Sequence, residues 1–122
     1  MKFFRFWFPV ILYSGIIFYA SSIPNVRAPL SEIQFDKVLH IVEFMPLGFL
    51  VARGLYSQNL AVSGNVLLVF VFLASFLYGA SDEYHQFLVV GRDAGLIDLM
   101  ADTVGGTIGG AAYLSFVKTR NK

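Results

Sequence analysis

Residues 60–80 form a predominantly apolar run without a charged side chain, and this run limits the available folds more than any other feature of the chain. A helix needs about 20 apolar residues to cross the hydrocarbon core of a bilayer. The composition indicates the same environment, because 57% of the chain is hydrophobic and only 14% is charged. A soluble domain has roughly 25% charged residues, and a small one buries too little of its surface to hide this much apolar area. The sequence therefore predicts an integral membrane protein.

Three further apolar segments, at about residues 6–22, 38–55 and 96–117, predict three more spans. No sustained alternation of apolar and polar residues supports a membrane barrel. We therefore expect one all-α domain over residues 1–122, a polytopic bundle of four transmembrane helices. The first segment also resembles a signal peptide, with Lys2 and Arg5 before it and small residues at its end. Its aromatic content favours a retained helix with interfacial anchors instead.

The orientation of the bundle follows from the basic residues beside the predicted spans. One side receives six of the nine Lys and Arg residues, namely Lys2, Arg5, Arg53, Lys118, Arg120 and Lys122. The other side receives Arg27, Lys37 and Arg92. Because cytoplasmic loops carry the excess of Lys and Arg, both termini are predicted to be cytoplasmic. The loops around residues 23–36 and 87–95 then face outward.

Most of the acidic residues lie at one depth of this predicted bundle. Six of the eight are at or inside helix ends: Asp36, Glu43, Asp82, Glu83, Asp98 and Asp102. Charged groups at membrane depth cost a few kcal/mol each, so each needs a partner or a function. With the predicted topology, three separate clusters of these residues meet at the outer end of the bundle. This convergence is the strongest functional signal in the sequence.

Helical spacing predicts which of these side chains share a face. Asp36, His40 and Glu43 have the spacing i, i+4, i+7 and form one stripe. On the third predicted helix one side carries Tyr78, Asp82, His85 and Gln86. The same spacing predicts that the neighbouring Glu83 is turned away from that side.

Glycines predict that the fourth helix packs closely against its neighbours. Gly105 and Gly109 have the spacing of a small-xxx-small pair, and so do Gly106 and Gly110, and such pairs permit close helix approach. Asp98 and Asp102 continue the line of Gly105 and Gly109 along the helix. We therefore expect these two acids to point into the bundle.

The predicted outer end has more acids than bases. Six acids face two permanent cations, Lys37 and Arg92, so full ionisation with neutral histidines leaves a surplus of four negative charges. Protonated carboxyl groups, protonated histidines, a bound cation or a cationic ligand would each relieve it. The chain has no cysteine, which excludes a thiolate metal site, and no basic run indicates nucleic acid.

The polar motifs resemble those of the VanZ-like membrane proteins, over about residues 7–117. The first motif is Asp36-Lys37-Val38-Leu39-His40 with Phe44 and Leu47-Gly48. The second is Ser81-Asp82-Glu83-Tyr84-His85-Gln86-Phe87, followed by Gly91-Arg92, Asp98, Asp102 and the glycines 105–109. Two positions depart from the family pattern, which often has proline at Val90 and asparagine at Asp102. The resemblance implies a protein of the bacterial cytoplasmic membrane, in a family whose namesake is associated with low-level teicoplanin resistance.

The first functional hypothesis is a protein that binds or processes an envelope lipid or a lipid-linked cell-wall precursor, with catalysis left open. Its ligand-binding candidates are Asp36, Lys37, His40, Glu43, Gln86, Arg92, Asp98 and Asp102. The candidates for a general acid or base are Asp82, Glu83 and His40. A divalent cation is the cofactor that the side chains suggest, with His40, Glu43, Asp82, Glu83 and Asp98 as candidate ligands.

Two alternatives remain from the sequence. A structural or partner-docking module would use the polar end as an ion-paired lock. A small proton- or ion-coupled transporter would use the buried acids as a relay, and at this length it would need to form a homo-oligomer. Substitution of Asp82 or Arg92 separates the hypotheses, since a structural role predicts loss of the protein itself.

Overall fold

The computed structural model describes residues 1–24 and 33–121 of the chain. These residues form five helices and no strand, which confirms the all-α prediction. The helices are α1 (Lys2–Phe6), α2 (Phe8–Ser22), α3 (Ile33–Tyr56), α4 (Gly64–Leu88) and α5 (Leu96–Arg120). Arg27, Lys122 and most of the loop predicted around residues 23–36 lie outside the described residues.

The first predicted segment, at about residues 6–22, corresponds to α2, and the short helix α1 precedes it, with a division between the two helices at Trp7. Pro9 explains the division, because it has no N–H for the carbonyl of Arg5 and its ring crowds that carbonyl. The helix restarts with Pro9 in its first turn, where a missing N–H costs nothing. With 15 residues, α2 is shorter than the length that a bilayer span needs.

The polar clusters lie on regular helical turns, because two helices extend beyond their predicted ends. α3 begins at Ile33, five residues before the predicted start at residue 38, and therefore includes Asp36 and Lys37. α4 ends at Leu88 rather than at residue 80. It begins at Gly64, where the side chain of Ser63 accepts a hydrogen bond from the Val66 N–H at 3.3 Å and caps the first turn. The acidic residues of α3 and α4 therefore all lie within regular helix, so the helical period determines the side of the helix from which each one projects.

α5 packs into a groove between α3 and α4, and its contact with α3 is the most extensive in the protein. The prediction of close glycine packing is confirmed. A Cβ atom at Gly105 or Gly109 would meet the backbone of α3, at the carbonyls of Ile41 and Met45. One at Gly110 would meet Val71 of α4 at 2.7 Å. The two glycine pairs thus serve two neighbouring helices.

Gly48 of α3 lies opposite Gly106 of α5, and a Cβ atom at Gly48 would meet the Gly106 carbonyl. This is a backbone-to-backbone contact that no larger residue permits. It places the polar end of α5, with Asp98 and Asp102, directly against the polar end of α3.

The apolar core lies below the polar end and includes Ile17, Phe44, Leu47 and Val71. Outside this core the helix surfaces are also apolar, and Leu77 of α4 is 66% exposed. Two helical stretches are long and apolar enough to cross a membrane, Phe35–Tyr56 and Gly64–Leu88. The structure by itself therefore identifies two of the four predicted spans.

Candidate functional site

Lys37 joins α3 to α5 at the polar end of the bundle. Its ammonium group contacts the carboxylate of Asp98 and lies 3.3 Å from that of Asp36. Asp98 is buried, whereas the side chain of Asp36 is 43% exposed. The expectation that Asp98 points into the bundle is therefore correct, and its charge is paired where it is buried.

His40 lies one turn deeper and contacts Asp102, which is completely buried. Nδ1 of the ring is 2.7 Å from Oδ1 of Asp102, and because a carboxylate only accepts, the ring donates. The other nitrogen, Nε2, lies 4.0 Å from Asp36 and 3.9 Å from Asp98. A histidine held by a carboxylate in this way has a fixed ring orientation, as in catalytic and metal-binding sites.

α4 contributes Asp82, Glu83 and Gln86, which are all buried. Gln86 donates from Nε2 to Asp82 Oδ2 at 2.8 Å. Glu83 is turned to a different side of α4, as the helical spacing predicted, but it is buried there as well, and its Oε2 accepts the Gly95 N–H at 2.9 Å. The reason is that α4 is covered on two sides, by α2 and by the turn that leads into α5, so that adjacent residues are both buried.

Three carboxylate oxygens in this region are buried and have no hydrogen-bond partner among the described residues. They are Oδ1 of Asp82, Oε1 of Glu83 and Oδ2 of Asp102. Buried polar atoms almost always have a partner, and an orphaned one indicates a water, an ion or a functional role. The excess of acid predicted from the sequence is thus located in the interior, between α4 and α5.

Arg92 contacts the end of α2 rather than an acid. It donates from one guanidinium nitrogen to the Ala20 carbonyl at 2.7 Å and from another to the Ile23 carbonyl at 3.0 Å. The turn that presents it has Gly91 at φ 81°, a conformation that favours glycine. Arg92 therefore donates to carbonyl groups at the C-terminal end of α2, where the Ala20 carbonyl also accepts the Ile23 N–H at 3.2 Å. The sequence analysis missed this role because it depends on a long-range contact.

A cavity of about 570 Å³ lies beside these groups. Its polar lining comes from the predicted candidates Asp36, His40, Glu43, Gln86 and Arg92, joined by Tyr13 and Ser21 of α2. Its apolar lining comes from Leu39, Val42 and Pro46. Val42 is 56% exposed at the helix surface, so the cavity is accessible from the side of the bundle. Tyr13 and Ser21 were missed, since nothing in the local sequence of α2 indicates that they face this cavity.

His85 is separated from His40 by its contacts with α2. Its Nε2 is 2.9 Å from the Ser22 hydroxyl, and its ring stacks on Phe18. The Ser22 hydroxyl donates to the Phe18 carbonyl at 2.7 Å, so the histidine donates to Ser22 and does not act as its base. This pair stabilises packing and is not arranged as a nucleophile.

Two groups of side chains have the spacing to hold a metal ion. Asp36, His40 and Asp98 form one, and His40, Glu83 and Asp102 form the other, with ligand atoms within 4.8 Å of one another. Of the predicted metal ligands, His40, Glu83 and Asp98 are in these groups. Glu43 and Asp82 are in neither group.

The chain was compared with known protein families, curated proteins and solved structures. A family model described as VanZ/LLP1 matches residues 3–117. No curated protein and no solved structure matches the chain. The resemblance noted in the sequence is therefore confirmed, and with the two apolar helices it indicates a membrane protein. Because the match covers nearly the whole chain, the protein belongs to the VanZ/LLP1 family.

Proposed function

We propose that this protein binds an amphiphilic molecule of the bacterial envelope, an envelope lipid or a lipid-linked cell-wall precursor, in the cavity between α2, α3 and α4. The observation that carries the proposal is the mixed lining of that cavity, which combines charged and polar side chains with apolar ones, among them Val42 at the exposed surface of the bundle. A water-soluble ligand would not need the apolar opening, and a plain acyl chain would not need the charges.

The polar groups of the cavity suit a headgroup. His40 is oriented by Asp102, and the guanidinium group of Arg92 adds a positive charge to the lining. Glu43 lines the cavity near the middle of α3. These groups can donate to a phosphate or accept from hydroxyl and amine groups. His40 is also the candidate for proton transfer if the bound molecule is processed.

The proposal places the protein in the bacterial cytoplasmic membrane with four membrane-crossing segments. The supporting observations are the many large apolar side chains exposed on the bundle and the distribution of Lys and Arg, which favours a cavity at the outer leaflet. A link to glycopeptide resistance rests on the family alone. It is tested by the teicoplanin susceptibility of a strain with and without the gene.

Native mass spectrometry of protein purified in mild detergent tests the binding. Wild-type protein is expected to retain a lipid-like mass, and Val42→Trp is expected to lose it because the larger ring fills the cavity. Val69→Trp is the matched control, since Val69 of α4 is also 56% exposed but does not line the cavity. Equal retention by both variants, or a wild-type protein without any bound amphiphile, would contradict the proposal.

A structural role is the second candidate, and one observation favours it. Lys37 and Arg92 both connect separate helices, so the polar end holds the bundle together whether or not it binds a ligand. Val42→Trp separates the two functions, because Val42 makes none of these polar contacts. If the role is purely structural, Val42→Trp accumulates normally, and neither its bound molecules nor its phenotype differ from those of the wild type.

A further inference from the structure

We propose that His40, Glu83 and Asp102 bind a divalent transition-metal cation inside the bundle, where α3, α4 and α5 meet. Each of the three side chains offers a ligand atom, and these atoms lie within 4.8 Å of one another. All three residues are buried. The inference goes beyond the proposed function, because it does not depend on what fills the neighbouring cavity.

Carboxylate oxygens without a hydrogen-bond partner supply a second, independent observation. Oε1 of Glu83 and Oδ2 of Asp102 are buried and have no hydrogen-bond partner among the described residues. Glu83 is 7% exposed and Asp102 is 0% exposed, so bulk water does not solvate them. Oδ2 of Asp102 faces α4, 3.4 Å from the point where a Cβ atom on Gly79 would lie. Glu83 is one turn further along that helix.

The charge in this interior is a further argument. Asp82, Glu83 and Asp102 are three buried carboxyl groups, and His40 is the only basic side chain that contacts any of them in the described part of the chain. With all three ionised and His40 neutral, as a metal-binding histidine must be, three negative charges remain. A divalent cation neutralises two of them and uses the free lone pairs of the carboxylates at the same time.

The second metal-like group, Asp36, His40 and Asp98, is a weaker candidate. Lys37 already contacts both of its carboxylates, so that with His40 neutral only one negative charge remains there, against three in the interior around the other group. Neither carboxylate has an orphaned buried oxygen among the described residues. The cation is therefore assigned to the inner group, which is His40, Glu83 and Asp102. In the outer group, the ammonium of Lys37 pairs with the carboxylates of Asp36 and Asp98.

The ring of His40 fits this assignment. A cation at Nδ1 would replace the proton now donated to Asp102 and leave the other ring N–H at Nε2. Nε2 faces Asp36 and Asp98 at 4.0 Å and 3.9 Å, and metal-binding histidines usually direct their second nitrogen at a carboxylate. One nitrogen and several carboxylate oxygens suit Mn²⁺ or Zn²⁺.

The test is a titration of protein purified in detergent and stripped with a chelator. Electron paramagnetic resonance of free Mn²⁺ measures the binding, because the sharp signal of the hydrated ion disappears when it binds. One Mn²⁺ per chain is expected, with displacement by Zn²⁺, which binds nitrogen and oxygen ligands more tightly. The melting temperature should rise with either ion and fall again with the chelator. A wild-type protein that binds neither ion overturns the proposal.

Variants assign the ligands. Glu83→Gln and Asp102→Asn are each expected to weaken Mn²⁺ binding by at least about tenfold, whereas Asp93→Asn, at an exposed acid, leaves it unchanged. Circular dichroism and gel filtration check that each variant is folded. If Asp36→Asn abolishes binding while Glu83→Gln retains it, the ion belongs to the outer group and the proposal is wrong. The lipid experiment with Val42→Trp is separate, so that either proposal can fail alone.

Discussion

The charged side chains differ in whether they have a partner. Asp98 is buried against the ammonium of Lys37, and Arg92 uses its donors on two carbonyl groups. Asp102 has one oxygen paired with His40 and the other unpaired. A buried charge without a partner is costly, so we expect the paired residues to stabilise the bundle, and the proposed cation site depends on the unpaired oxygens.

Replacement of Asp98 by asparagine tests the stabilising contact. Asp98→Asn removes the charge that Lys37 contacts, and we expect unfolding to become easier by about 1.5–3 kcal/mol, the range for a hydrogen bond to a charged group. The loss is limited because Asp36 remains 3.3 Å from Lys37. Denaturant unfolding in detergent micelles measures it. Asp93→Asn is the control at an exposed acid on the same side, and an equal change in the two variants would refute the assignment.

The sequence predicted which polar residues share a face of one helix better than it predicted which residues of different helices contact each other. Helical spacing correctly placed Asp98 and Asp102 on the face that Gly105 and Gly109 bring to α3. It also suggested that His40 acts with Glu43, whereas the structure pairs His40 with Asp102. The spacing of one helix determines direction, but the partner depends on the rotation and depth of a second helix.

At the scale of the elements, α5 is held by backbone contact rather than by large side chains. The predicted helix at 96–117 agrees closely with Leu96–Arg120, because its glycines and apolar residues form one regular pattern. The short helix α1 before Trp7 was not predicted, although Pro9 is a visible signal for a helix boundary near that point. The caps and extensions of α3 and α4 depend on local hydrogen bonds that hydropathy does not show.

Substitution of one glycine tests this packing. In Gly109→Ala the new methyl group would meet the carbonyl of Met45, so α3 and α5 must separate at a cost of about 1–3 kcal/mol. In Gly15→Ala no atom lies within 4 Å of the new group, and the higher helix propensity of alanine stabilises α2 by up to about 1 kcal/mol. Thermal unfolding should therefore move in opposite directions for the two variants. A Gly109→Ala protein as stable as wild type would contradict the close approach of α3 and α5.

At the scale of the whole molecule, the bundle has one acidic end, helix flanks that expose many large apolar side chains, and an opposite end that is rich in Lys and Arg. The acids of α3, α4 and α5 meet there because each helix carries them near the same end. α2 closes the cavity through the hydrogen bond from Tyr13 to the Glu43 carbonyl at 2.8 Å. The composition predicted the apolar surface, and the predicted topology indicated that the acids meet at one end of the bundle. The cavity could not be predicted in this way, because it forms only when α2 packs against the other helices.

The direction in which this polar end faces determines which molecules can reach it. The excess of Lys and Arg on the opposite side predicts that it faces outward. The chain has no cysteine, so a single Asp93→Cys substitution in the turn before α5 provides a unique label site. Its thiol should react with a membrane-impermeant reagent on intact spheroplasts. Gln58→Cys, at an exposed position between α3 and α4, should react only after lysis. The reverse pattern would place the cavity at the cytoplasmic leaflet and rule out a ligand that is confined to the outer one.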